Sequence, residues 1–97
     1  MKAAVIMMTH IAAGEWAEHG IRVNAIAPGV LRTPMWDADV ARGAIDEGFY
    51  LGLVPARRLG TPADVGKLAV YLASDGSSYV NGSCITIDGA LTSIPAG

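Results

Sequence analysis

The sequence predicts an α/β fold in which helices cover a short parallel sheet. Three observations lead to this prediction. Apolar residues recur at helix spacing over 3–18, and a short run over 21–27 is apolar on both faces, as in a buried parallel strand. A second helix signal and a second strand signal follow over 61–75 and 83–89. The order helix, strand, long connection, helix, strand is typical of parallel strands joined by a crossover.

The first helix is predicted over residues 1–19. Its apolar side chains form two lines: Val5, Met8, Ala12 and Trp16 in one, and Ala4, Met7 and Ile11 in the other. An apolar arc this wide predicts a helix that is covered on two sides. His19 and Gly20 then provide a typical helix end, with a polar last turn and a glycine suited to the left-handed cap.

The strands are predicted to end in turns. The first strand and its Pro-Gly turn span 21–29, because Pro28 cannot donate to a neighbouring strand and Gly29 permits a sharp turn. The terminal strand spans 83–89, where Ile85 and Ile87 alternate with other residues before an Asp-Gly pair.

Residues 30–60 show weak periodicity and several prolines and glycines, with short helical pieces expected after Thr33. A connection of this length is typical of a substrate lid rather than of filler. Its larger apolar side chains are Met35, Trp36, Phe49 and Tyr50. They are equally consistent with the lining of a substrate pocket and with packing inside the lid.

The second helix, over 61–75, has a clear start. Thr61 is suited to the N-cap, Pro62 to the first helical position and Asp64 to the first-turn amides. Just before it, Arg57 and Arg58 are equally consistent with binding a phosphate and with an ion pair or a capping contact.

Composition excludes several classes of function. A net charge of −2 and a pI near 5.5 predict no nucleic-acid partner, and the absence of any run of about 18 apolar residues predicts no membrane span. The single Cys84 favours the reducing cytoplasm. The spacing of His10, His19 and Cys84 fits no zinc pattern, so no metal site is predicted. Asp37 and Asp39 are two residues apart and are expected on a solvated lid surface.

Eight segments together resemble the C-terminal portion of the short-chain dehydrogenase/reductase family in order and spacing. They are KAAV (2–5), EWA (15–17), GIRVNAIAPG (20–29), TPM (33–35), RLGTPADV (58–65), YLASD (71–75), YVNG (79–82) and IDG (87–89). The resemblance covers nearly the whole chain. It implies that residues 1–97 form one partial domain, the C-terminal part of a Rossmann-like, doubly wound parallel sheet.

The resemblance also implies roles for the matching residues. Lys2 stands where the family has the lysine of a Tyr-x-x-x-Lys pair, which holds the nicotinamide ribose and lowers the pKa of the tyrosine for acid-base catalysis. Pro28 and Gly29 resemble the turn that lies against the nicotinamide ring, and Thr33 resembles the residue that binds its carboxamide. Asn24 resembles a structural polar group at a strand end. The implied cofactor is NAD or NADP.

The implied activity is hydride transfer between nicotinamide and the carbon of a small alcohol or ketone, in a homo-oligomeric enzyme. The family's tyrosine, its carbonyl-polarising serine and its glycine-rich turn would all precede Lys2 and are not in this sequence. We therefore expect a fragment that is inactive alone. The alternative is a noncatalytic module that associates with a full-length subunit through its apolar first helix and its terminal strand.

Overall fold

The computed structural model describes residues 2–93 and contains the predicted order of elements. These are helix α1 (Lys2–Trp16), strand β1 (Ala25–Pro28), helices α2 (Pro34–Ala41), α3 (Glu47–Leu53) and α4 (Pro62–Ala73), and strand β2 (Cys84–Ile87). Short 3-10 helices follow α1, α4 and β2 at Ala17–His19, Asp75–Ser77 and Leu91–Ser93. The predicted α/β class is confirmed, and the lid contains two short helices.

Strands β1 and β2 are neighbours in a two-stranded parallel sheet. The amide of Ala25 donates to the carbonyl of Ser83 at 2.8 Å, and the amide of Gly29 donates to the carbonyl of Ile87 at 3.0 Å. From the first bond to the second, the donor moves four residues along β1 and the acceptor moves four residues along β2 in the same chain direction. This is the pattern of a parallel pair. The connection between the strands runs through α2, α3 and α4, as a crossover requires.

The described residues form two compact units. The first contains residues 2–27 and 67–86, and the second contains residues 28–66 and 87–93. The expectation of one partial domain stays a prediction. Apart from Lys2, every site residue that the sequence predicts lies in the second unit.

In the first unit, the apolar side chains of α1 are largely exposed. Within 3–16 only Thr9 and Ala13 are buried, whereas Met8 is 69% exposed and Ile11 is 53% exposed. Residues 3–93 therefore do not provide the cover on two sides, because two four-residue strands offer too little surface for so wide an apolar arc. That cover stays a prediction for the longer protein.

Strand β1 begins four residues later than predicted. The amide of Val23 donates to the side-chain oxygen of Asn81 at 3.0 Å, and the carbonyl of Val23 accepts from the amide of Gly82 at 2.8 Å. An asparagine side chain thus takes the place of a strand partner. Asn24 donates to the carbonyl of Val80 at 2.9 Å and accepts from the amide of Ser83 at 3.0 Å, which is a structural use of this residue.

Helix α4 begins as predicted, with reciprocal bonds between Thr61 and Asp64. The Thr61 hydroxyl accepts from the Asp64 amide at 3.2 Å, and the Asp64 carboxylate accepts from the Thr61 amide at 2.9 Å. Arg58 donates to the same carboxylate at 2.9 Å, so Arg58 forms the ion pair that was one of its two predicted uses. The helix ends at Ala73, two residues early, because Ser74 is extended.

This start of α4 predicts an acid-sensitive contribution to stability. The hydrogen bond from Arg58, followed by those from Thr61, lowers the pKa of Asp64 from 3.8 to about 2. Because the folded-state pKa is below the unfolded value, the carboxylate stabilises the fold above about pH 4, and this contribution is lost as the pH falls towards 2. Thermal unfolding measured across this range is expected to show a smaller pH dependence in Asp64→Asn than in the parent chain.

The control for this measurement is Asp75→Asn. Within residues 2–93, no hydrogen bond to the Asp75 carboxylate is found. Its replacement should leave the loss of stability at low pH unchanged. An equally reduced pH dependence of stability in both variants would contradict the assignment to Asp64.

Candidate functional site

The turn after β1 is shaped by a close contact with the turn after β2. Pro28 is exposed and ends β1, and Gly29 follows half-buried. A Cβ atom added to Gly29 would lie 2.6 Å from the Cβ atom of Asp88 and 3.0 Å from its Cα atom. No real side chain fits at such distances, so position 29 needs glycine for space.

Asp88 holds the second of these turns in shape, a role that the sequence analysis missed. Its carboxylate accepts from the amides of Ala90 and Thr92, each at 3.0 Å, and from the Thr92 hydroxyl at 2.6 Å. These hydrogen bonds lower the pKa of Asp88, and the bond from the Thr92 hydroxyl has the largest effect. An aspartate followed by glycine and, four residues on, by threonine was the available signal for such a turn.

Thr33 lies at the start of α2 and caps it. Its backbone is extended, and its Oγ1 atom accepts from the amide of Trp36 at 3.1 Å. That bond uses an acceptor site of the hydroxyl and leaves the hydroxyl hydrogen to donate elsewhere. The residue can therefore cap α2 and bind a carbonyl-bearing ligand at the same time.

The four apolar lid residues separate into two pairs. Trp36 and Tyr50 are half-buried and pack edge to face, with ring centroids 5.3 Å apart. Met35 is 76% exposed and Phe49 is 60% exposed. Trp36 and Tyr50 thus stabilise the lid internally, while Met35 and Phe49 are available to contact a ligand.

Five charged residues of the lid form ion pairs with one another. Arg32 contacts Asp37 at 2.8 Å and Glu47 at 2.6 Å, and Arg42 contacts Asp39 at 2.8 Å. Asp37 and Asp39 therefore lie in ion pairs rather than forming a catalytic pair. The hydrogen bond from the Trp36 indole lowers the pKa of Glu47, and the charge of Arg32 lowers it further.

Lys2 is the first residue of α1 and belongs to the first unit, so its predicted place beside the nicotinamide stays a prediction. The second unit contains a cavity of about 100 Å³, but none of the predicted site residues lines it. In residues 2–93, no three His, Cys, Asp or Glu side chains are grouped as metal ligands.

A sequence profile of the family described as enoyl-(acyl carrier protein) reductase matches residues 1–92. A crystal structure of a short chain dehydrogenase from Bacillus anthracis is 40% identical, with a TM-score of 0.76, and covers 99% of this chain. This chain belongs to the short-chain dehydrogenase/reductase family. The predicted family and the predicted Rossmann-like fold are both confirmed.

Two further relatives show how much of a family member is present. The chain is 41% identical over 93 residues to a 2,5-dichloro-2,5-cyclohexadiene-1,4-diol dehydrogenase of Sphingobium indicum, covering 96% of this chain and 37% of that enzyme. The solved structure of ElxO with NADP bound has a TM-score of 0.88 at 35% identity, covering 96% of this chain and 38% of ElxO. This short-chain dehydrogenase/reductase sequence thus spans well under half the length of the relatives it matches.

Among the helices that the structure describes, none combines the length and the apolar character needed to cross a bilayer.

Proposed function

We propose that this chain is the C-terminal part of an NAD(P)-dependent oxidoreductase that transfers hydride between nicotinamide and the carbon of an alcohol or ketone. The observation that carries the proposal is the turn at the carboxyl end of β1, followed by the Thr33 cap, in a chain that matches the family over residues 1–92. In open α/β sheets, ligands bind beyond the carboxyl ends of the strands.

The residues at this turn fit a nicotinamide. Its carboxamide needs a hydrogen-bond donor, and the Thr33 hydroxyl can donate while still accepting from Trp36. Its ring needs a flat apolar neighbour, which the exposed Pro28 ring provides. When bound, nicotinamide supplies the hydride acceptor or donor. The presence of NADP in the ElxO structure supports the choice of cofactor.

The remaining roles follow from the family likeness. The Lys2 ammonium is assigned to the nicotinamide ribose and to lowering the pKa of a catalytic tyrosine. Met35 and Phe49 are assigned to the substrate, a small alcohol or ketone. The exposed apolar residues of α1 support a homo-oligomer of the intact enzyme, and the single Cys84 supports a cytoplasmic location.

The decisive experiment joins this chain to the part of ElxO that it does not match, in place of ElxO's own matching segment. The purified chimera is tested for NADH and NADPH turnover with a panel of cyclic and open-chain alcohols and ketones. Turnover is expected, and Lys2→Met is expected to lower kcat/KM by about 100-fold or more, since acid-base tuning contributes at least that much.

The matched control is Lys67→Met, which removes the chain's other lysine from an exposed position of α4. It should leave kcat/KM near the parent value. A folded chimera that neither binds nor turns over either dinucleotide would contradict the proposed function.

The second candidate is a noncatalytic module that associates with a full-length subunit. It is favoured by an apolar groove of about 300 Å³ in the first unit, lined by Val5, Met8, Thr9, Ala12, Trp16 and Val23. Grooves of this kind are typical of surfaces that bind another protein. The same chimera distinguishes the two candidates. If the chain is a noncatalytic module, the chimera should associate with a full-length subunit but should not turn over either dinucleotide.

A further inference from the structure

One carboxylate links the two lid helices. The Oε1 atom of Glu47, in the first turn of α3, accepts from Arg32 at 2.6 Å and from the indole Nε1 of Trp36 at 3.0 Å. Arg32 also donates to Asp37, in the first turn of α2, at 2.8 Å. We call these four residues, Arg32, Trp36, Asp37 and Glu47, the lid clamp.

The lid clamp differs from an ordinary surface ion pair. An isolated exposed pair contributes little to stability. In the clamp, a single oxygen accepts from a charged donor 15 residues away and from a neutral, half-buried donor 11 residues away, while the Glu47 side chain is only 27% exposed. Because both donors lie on the α2 side, the two bonds fasten α3 to α2.

The clamp also determines where an exposed aromatic ring lies. Trp36 packs against Tyr50 at 5.3 Å, and Tyr50 packs against Phe49 at 5.4 Å, both edge to face. Met35 directly precedes Trp36 in the same helix. The position of the indole therefore bears, through Tyr50, on the ring of Phe49, which is 60% exposed.

We propose that Glu47 is a positioning residue that holds Trp36 and, through Tyr50, the exposed ring of Phe49 in place to contact an uncharged substrate. Three of the four lid acids are paired with arginines, Asp37 and Glu47 with Arg32 and Asp39 with Arg42. The fourth, Asp46, accepts from the Phe49 amide. An exposed apolar ring beside these engaged acids favours an alcohol or ketone with a hydrocarbon face over a charged substrate. This substrate assignment rests on the proposed function, whereas the clamp itself does not.

The clamp is tested in the chain with Trp16→Phe, which leaves Trp36 as the sole tryptophan. Emission and acrylamide quenching of Trp36 are compared in the parent background and in Glu47→Leu. In Glu47→Leu we expect the Trp36 indole to be less protected from solvent and acrylamide. Its quenching should be stronger, and its emission maximum should shift. Unchanged emission and quenching would overturn the proposal.

Two further variants make this result specific. Glu47→Gln keeps the size of the side chain and an acceptor oxygen, so it should restore most of the protection of Trp36; protection no greater than in Glu47→Leu would overturn the indole bond. Asp39→Asn breaks an ion pair that does not join the helices, and it should match the parent. If Trp36 is as exposed in Asp39→Asn as it is in Glu47→Leu, the proposed clamp is overturned.

The substrate assignment is tested in the ElxO chimera. Glu47→Leu is expected to raise KM for an apolar ketone about tenfold while changing kcat less, because it disturbs binding rather than the reacting groups. An unchanged KM beside a changed Trp36 signal would overturn the substrate role and leave the clamp in place. Failure of the chimera to turn over any substrate would count against the proposed function and not against the fluorescence result.

Discussion

Gly29→Ala is expected to lower the free energy of unfolding by about 2 to 3 kcal/mol, at the upper end of the cost of overpacking. The added Cβ atom would meet the Cβ atom of Asp88 at 2.6 Å and its Cα atom at 3.0 Å. Neither atom belongs to the flexible end of a side chain, so the two turns would have to separate. Separation would weaken the bond from the Gly29 amide to the Ile87 carbonyl, which is 3.0 Å long.

Gly14→Ala is the matched control, because it adds the same atom where nothing lies within 4 Å. Position 14 is inside α1, where alanine is favoured over glycine by about 0.5 to 1 kcal/mol. The two variants should therefore change stability in opposite directions in urea unfolding followed by circular dichroism. Equal effects of Gly29→Ala and Gly14→Ala would contradict the steric explanation.

The features that the sequence predicted well depend on neighbouring residues. Thr61, Pro62 and Asp64 start α4 through contacts three residues apart, so the residue types alone indicate the helix start. The parallel pair of strands is an exception, because its partners lie far apart in the chain. It was predictable because two short apolar runs separated by a long connection have few other ways to pair.

The features that the sequence did not predict depend on residues far apart in the chain. The start of β1 is decided by Asn81, which is 58 residues from its partner Val23. The division of the lid residues into packed and exposed pairs depends on Glu47, whose oxygen binds the Trp36 indole. The four residues form two adjacent pairs in a segment without periodicity, so their spacing could not separate Trp36 and Tyr50 from Met35 and Phe49.

The predicted site shows the same division. The cap by Thr33 follows from a local pattern, a threonine followed by proline, and the structure contains it. The need for glycine at position 29 was predicted from the turn, but the structure gives a different cause, the approach of Asp88 from the other strand end. A contact between residues so distant in sequence is visible only after the strands are paired.

Arg22→Met is expected to lower the free energy of unfolding by about 2 to 4 kcal/mol, because it leaves several partly buried acceptors without a charged donor. The Nη1 atom of Arg22 donates to the Ser77 carbonyl at 2.9 Å, to the Ser77 hydroxyl at 3.1 Å and to the Val80 carbonyl at 3.2 Å. The Nη2 atom donates to the Ser74 carbonyl at 3.2 Å. One guanidinium thus holds the loop after α4 against the segment that leads into β1.

The comparison is with Arg42→Met, where the arginine is 69% exposed and pairs only with Asp39 among residues 2–93. Loss of an exposed pair of this kind should change stability by less than about 0.5 kcal/mol. Arg22→Lys should recover only part of the loss, because a single ammonium cannot reproduce a planar fork that reaches Ser74 and Val80 together. Urea unfolding of the three variants tests this: if Arg22→Met is no less stable than Arg42→Met, the guanidinium does not hold this loop.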